Sequence, residues 1–303
     1  MPILIDHKQI DKLRRRRARR PPKIDGSAQA ERFLRTKLQK LWQRVLAPAT
    51  KKIQRLAASS APATEIVSAI NSALDTAEMQ YDIAAADISN QWRSSLDRDT
   101  RKAFVAGLQK SLGVDITALY DSPEIADALA IGSMEASQLI QTIPTEFLGK
   151  VAQAVSDNFT GEPLPEGRTL AQQIRVLSGQ SLRRAKMIAR DQTKKLNAHI
   201  QQVRQSSLGI TAYIWRTVKD ERVVGKPGGV SPTGNTAHRN HYKMEGVYCQ
   251  WDDPTVYSKD DGKTWIKRVS EMPKNHPGQD INCRCHAEPV LDIEKILEYA
   301  QTA

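Results

Sequence analysis

Between Trp215 and Pro289 the chain gathers the side chains that can hold a metal or move a proton. All three cysteines (Cys249, Cys283, Cys285) fall there, and so, counting His199 just upstream, do five of the six histidines. Cys283 and Cys285, with His241 and His276, offer enough nitrogen and sulfur donors for a tetrahedral zinc site. Cys-x-Cys with scattered histidines is not a strong zinc signature, so the opposing reading stands beside it: two small residues packed next to a buried strand. His238-Arg239-Asn240-His241 also fits a nuclease whose histidine activates water on a metal-held phosphate, with Asp220, Glu221, Asp252 and Asp253 as carboxylate candidates. A cysteine protease is not expected, because no segment around a cysteine opens a helix and so lowers a thiol pKa. Asp220 and Arg222, two apart on a strand or its end, share a face; a salt bridge fixing the following loop is the simpler role, catalysis the sharper one.

These residues need a scaffold that alternates. Thr211-Ala212-Tyr213-Ile214-Trp215 and Val247-Tyr248-Cys249-Gln250-Trp251 are β-branched and aromatic and read as strands. Asp260-Asp261-Gly262-Lys263, between Tyr257 and Trp265, has the chemistry of a hairpin turn. Trp215, Trp251 and Trp265 are the expected anchors of this small core. Upstream, the pattern is helical. Phe33/Leu34, Leu38, Leu41/Trp42 and Val45 form one stripe, Ile66, Ile70, Leu74, Ala77 and Tyr81 a second, Ile88, Trp92 and Leu96 a third. Asp99-Thr100 reads as a cap for a further helix, and Ser122-Pro123-Glu124 as a helix start. Pro48 and Pro144 predict breaks or kinks. Thr169 and Ser181 are expected to cap two separate helices, and Asp292 to Ala300 a closing one. This helical half carries no metal-ligand or nucleophile constellation, so bundling and docking are its expected work.

The sequence has 303 residues and a net charge of +11. Residues 1 to 25 carry nine basic and three acidic side chains, 9 − 3 = +6 of that total. Arg14, Arg15, Arg16, Arg17, Arg19 and Arg20 lead into Pro21-Pro22, which predicts an arm that contacts DNA nonspecifically or an acidic protein surface. No apolar run approaches the roughly 20 residues that span a bilayer. The first residues lack the features of a secretory signal, so a reducing cytoplasm is expected.

In order along the chain, Arg184-Ala185, Ile188-Ala189-Arg190-Asp191-Gln192-Thr193, Trp215, Asp220-Glu221-Arg222, His241-x-x-Met244-x-Gly246, His276-Pro277 and Asn282-Cys283-Arg284-Cys285 resemble the Mu F-like minor head, or head-morphogenesis, proteins of tailed bacteriophages. The resemblance runs from about Ser181 to Pro289. It departs from the family pattern in the long loop from Val223 to Ala237 and in Gly278-Gln279-Asp280-Ile281. It implies a virion component of the head interior, made in the host cytoplasm, associated with portal and capsid proteins and acting in capsid morphogenesis and DNA packaging or delivery. Arg190, Asp191, Thr193, Asp220, Arg222, His241 and Gly246 are the motif positions it singles out. The expected architecture is mainly α with a smaller α+β C-terminal domain: an arm over 1–27, a helical assembly region over 28–160, a turn-rich linker at 161–167 and a Mu F-like domain over 168–303. The expected protein is not an enzyme. The alternatives are a metal-dependent phosphodiesterase, an effector enzyme delivered with the DNA, and a nonspecific DNA-binding module.

Overall fold

The computed structural model describes residues 24–112, 123–218, 241–281 and 283–292. The six arginines of the expected arm, Asp220, Glu221, Arg222, His238, Asn282 and positions 293–300 of the expected closing helix lie outside these residues. The chain is mainly α-helical with a smaller α+β C-terminal region. Four long helices, α1 (Ala28–Ala58), α2 (Ala63–Leu112), α3 (Pro123–Thr160) and α4 (Leu170–Ser206), precede the strands β1 (Ala212–Arg216), β2 (Tyr248–Gln250), β3 (Val256–Tyr257), β4 (Ile266–Lys267) and β5 (His286–Pro289).

The helices are longer than their local signals predict. The second and third apolar stripes belong to one continuous α2, and Asp99 and Thr100 lie inside it. Thr100 does not cap because its hydroxyl donates to the Leu96 carbonyl one turn back, at 2.7 Å. Ser181 likewise sits inside α4, where its Oγ accepts a hydrogen bond from Trp42 Nε1 at 3.1 Å. The cap at Thr169 does form. Thr169 N–H donates to Gln172 Oε1 and Gln172 N–H to Thr169 Oγ1, a reciprocal box at the start of α4. Pro48 and Pro144 are carried within α1 and α3 without ending them. Each removes one backbone donor. Around them Leu46 and Ile53, and Ile143 and Phe147, are buried and hold the helix on both sides.

Two compact units partition the chain. One comprises 30–94 and 131–192, so 168–192 cluster with the preceding helices rather than with the strands. Its core is built from Leu34, Leu38, Leu46, Ile66, Tyr81, Trp92, Ile140, Leu148 and Ile174. Burying each aliphatic side chain there stabilises the unit by about 1.5–3 kcal/mol. Two hydrogen bonds, Ser133 to Asn90 and Thr145 to Glu78, give α2 and α3 an antiparallel register.

The other unit comprises 1–29, 95–130 and 193–303. In it β1 is the central strand of an antiparallel sheet ordered β2-β1-β5, with Tyr213 opposite Cys249 and Trp215 opposite Ala287. Alternation buries Tyr213 and Trp215 on one face. They pack with Met244, Cys249, Trp251, Tyr257, Met272, Cys283 and Cys285. The hairpin forms as expected, β3 pairing with β4. Trp265 is not part of the core. It is 37% exposed and immediately precedes the exposed strand β4, whereas Val256 and Tyr257 of β3 are buried.

Candidate metal centre

His241 opens a short 3₁₀ helix, His241–Met244, whose Met244 is fully buried. The chain then reverses at Gly246, where φ is +76°, a conformation that glycine adopts without steric cost. This lets Gly246 N–H donate to the Trp215 carbonyl and Trp215 N–H to the Val247 carbonyl, both at 2.9 Å. The imidazole is thereby fixed edge-on to the Trp215 ring, 5.6 Å between centroids.

The two cysteines arrive from the other end of the chain. Cys283 N–H donates to the Asp280 carbonyl at 3.0 Å, closing a turn, and Gly278 N–H donates to Cys283 Sγ at 3.3 Å. Gly278 has φ +91°, and a Cβ there would stand 2.6 Å from Ala198 Cβ on α4, so only glycine allows this approach. Cys285 lies one residue before β5. Residues two apart in extended chain face the same side, which is why Cys-x-Cys can aim both sulfurs at one point.

His241, Cys283 and Cys285 meet there, their donor atoms all within 4.8 Å of one another. His241 Nδ1 is 3.5 Å from Cys283 Sγ and 3.6 Å from Cys285 Sγ. On its far side, His241 Nε2 is 2.8 Å from Asp280 Oδ2. Burial is nearly complete: 2% of His241, 1% of Cys283 and 6% of Cys285 are exposed. Burial opposes a charged imidazole, but the Asp280 carboxylate and the Cys283 sulfur outweigh it and lift the His241 pKa to about 9. The hydrogen bond from Cys285, against the cost of burial, and the adjacent His241 draw the Cys283 thiol down to about 5, while Cys285 is pushed up. The lowering arises from these neighbours and not from a helix N-terminus. The Cys283 sulfur is buried with the rest of the residue.

The set fits a metal ion. For tetrahedral zinc with Zn–S about 2.3 Å and Zn–N about 2.0–2.1 Å, the N···S edge is about 3.6 Å, and the two observed edges match it. Asp280 supplies the carboxylate that orients metal-ligating histidines from behind. It presents Nδ1, not Nε2, to the sulfurs.

The remaining candidates disperse. His276 is not in the cluster: its Nδ1 is 3.0 Å from the Tyr213 hydroxyl and its ring packs 4.9 Å from Trp251. Burial, with Arg268 nearby, holds its pKa at about 4. Cys249 faces the core from β2, its thiol pKa raised by burial. Arg190, Asp191 and Thr193 lie on α4, Thr193 fully buried and Asp191 nearly so. Asp252 is exposed at the end of β2, and Asp253 accepts hydrogen bonds from Thr255 N–H and Oγ1. Neither carboxylate is among the donor atoms that converge with His241. Asp280 was missed by sequence reasoning. Its signal was its place in Gly278–Ile281, the stretch that departs from the family pattern.

No family model matches the chain, and no solved structure matches it. Over 212 residues it is 32% identical to an uncharacterized protein of Haemophilus influenzae (strain ATCC 51907 / DSM 11121 / KW20 / Rd), a match covering 69% of this chain and 40% of that protein. The chain therefore spans about two fifths of the length of this relative, with which it shares a stretch long enough to include more than one of the elements described above.

Proposed function

We propose that this chain is a bacteriophage minor head protein of the Mu F-like kind, bound near the portal inside the procapsid, whose C-terminal unit is stapled by zinc on His241, Cys283 and Cys285. The observation that carries the reading is the convergence of two motif elements 42 residues apart, His241-x-x-Met244-x-Gly246 and Cys283-x-Cys285, on one buried point. Zinc there supplies folding energy, since its binding to a preformed site stabilises only the folded chain. Sealed ligands favour this structural role over hydrolysis, where a substrate must reach an open coordination position.

The helical unit suits assembly. Met79 and Ile83 on α2 are 57% and 72% exposed, and Ile131, Met134 and Phe159 on α3 also face outward, as surfaces that dock on other proteins do. The net charge of +11 suits a compartment of packed DNA or an acidic partner surface. Among the described residues no helix is long and apolar enough to cross a membrane.

Two measurements test the proposal. Elemental mass spectrometry of the purified full chain should find about one zinc per chain, as one tetrahedral site requires, and a loss of zinc in Cys283→Ser and Cys285→Ser. The protein should also cosediment with heads assembled from its cognate portal and capsid proteins. Absence of zinc would remove the staple. Metal-dependent cleavage of plasmid DNA that disappears in His241→Ala would replace assembly with the phosphodiesterase reading.

A further inference from the structure

The positive charge of the chain is concentrated, not spread. Residues 1–25 carry +6 of the +11, and α1 carries eight basic side chains against one acidic, Glu31, 8 − 1 = +7. Everything else therefore sums to 11 − 6 − 7 = −2. Six of the α1 cations form a stripe. Lys37, Lys40, Arg44, Lys51 and Arg55 fall within roughly 60° of one another around the helix, with Lys52 beside them, opposite the buried Leu38, Trp42 and Leu46. All but the half-buried Lys37 are exposed.

An ordinary solvated helix face mixes signs, so that acids and bases four apart support the helix. This one does the reverse. Lys40 and Arg44, and Lys51 and Arg55, are like charges at that spacing, each pair destabilising the helix by about 0.2–0.5 kcal/mol. Among the described residues none of the six pairs with a carboxylate; Lys37 Nζ instead rests over the Phe33 ring, 5.3 Å from its centroid. The stripe is thus a cost to the fold that an external polyanion would repay. The kind of polyanion follows from what is missing. The helical unit carries its exposed large apolar side chains on other helices, Met79 and Ile83 on α2, Ile131 and Met134 on α3, and none on α1. A protein interface needs such a side chain at its centre, whereas a phosphate backbone needs only cations.

Spacing narrows it further. Lys37, Lys40 and Arg44 form one cluster and Lys51, Lys52 and Arg55 another, their centres about 18 Å apart along the axis. Between them the face carries Ala47, Pro48 and Ala49, small and uncharged. The major groove of B-form DNA is about 12 Å wide, with a phosphate backbone on each bank. We propose that α1 lies across the major groove of duplex DNA, each cluster meeting one backbone and the uncharged stretch spanning the groove. With no side chain aimed at base edges, this contact positions the protein without reading sequence. The inference rests on neither the zinc site nor the head-protein reading, because it concerns what the purified chain binds, whether or not that chain enters heads.

The test measures binding of the full chain to a mixed-sequence duplex of about 30 base pairs, long enough to hold a nonspecific site, over a range of salt concentrations. The variant Lys51→Gln/Lys52→Gln/Arg55→Gln removes one cluster at exposed positions and keeps good helix formers. Its plot of log K against log salt should be shallower by about 2.7, or 0.9 for each lost phosphate contact. Lys37→Gln/Lys40→Gln/Arg44→Gln should give the same change, since each cluster meets one backbone. The control, Lys259→Gln/Lys263→Gln/Lys274→Gln, changes the net charge equally on the exposed surface of the other unit and should leave the slope within about one of the parent. All variants should melt with the parent by circular dichroism. A slope unchanged in the α1 variants, or altered as much in the control, would overturn the proposal, as the first denies the contact and the second reduces it to net charge. Polyglutamate that displaces the duplex at equal charge concentration would also overturn it, in favour of an acidic protein surface.

Discussion

Replacing Asp280 by Asn tests the metal centre where it is least obvious. Asp280 accepts from His241 Nε2 at 2.8 Å beside a ring that is 2% exposed, and it is itself only partly exposed. Asn keeps the shape and can still accept through Oδ1, but a charge-assisted bond becomes a neutral one. Bonds to charged groups contribute about 1.5–3 kcal/mol against about 1 for neutral pairs. The difference, about 0.5–2 kcal/mol, corresponds to roughly 2- to 30-fold in zinc affinity, overlapping the range of about 10- to 100-fold typical of partners that orient ligating histidines. The neutral amide can also rotate to present its NH₂ to the imidazole, turning Nδ1–H toward the sulfurs in the metal-free protein. That can only weaken binding further. The assay is competition for zinc between the full chain and a chromophoric chelator, with near-ultraviolet circular dichroism of Trp215 as the check that the core is intact. A zinc affinity within twofold of the parent, with the core intact, would refute the orienting role of Asp280.

Three further outcomes follow from the packing. His276 has a folded-state pKa of about 4, below its ordinary 6.5; the unfolded chain therefore binds the extra proton first, and the stability present above pH 6.5 is lost as pH falls toward 4. The loss amounts to up to ~3 kcal/mol, and His276→Gln should flatten it in urea melts run between pH 7 and 4; an unchanged pH dependence would show that His276 is not the responsible group. Gly278→Ala forces a Cβ to within 2.6 Å of Ala198 Cβ at a positive φ, which should cost about 2–4 kcal/mol from overpacking and strain; chemical denaturation measures it, and Ala198→Gly in the same chain should recover part of the loss. Trp42→Phe removes the Nε1 hydrogen bond to Ser181 while keeping the ring beside Phe147, so the helical unit should lose about 1–2 kcal/mol without change in zinc content; a loss of zinc in this variant would contradict the separateness of the two effects.

Much of the secondary structure was legible from local signals, because side-chain periodicity is local physics. The apolar stripes of α1 and α2, the Thr169 cap, the alternation of β1 and β2 and the Asp-Gly hairpin all appear where the residues predict them. What local signals did not decide was continuity. Thr100 and Ser181 carry cap-forming hydroxyls, and each spends its hydroxyl elsewhere, on Leu96 and on Trp42, because a helix stripe buried on both sides of them outweighs a cap worth about 1 kcal/mol.

The candidate site divides in the same way. The donor types at His241, Cys283 and Cys285, and the glycine at 246 that the turn needs, are properties of the sequence. Which histidine joins the cysteines was decided only by tertiary structure. His241 and His276 are equivalent as residue types, but the turn at Gly246 swings one onto the sulfurs, while the Tyr213 hydroxyl and the Trp251 ring hold the other in the core. Asp280 behind His241 was likewise invisible in one dimension. A side chain's partner and its solvent are set by what the fold brings beside it, and no spacing along the chain encodes that across 39 residues.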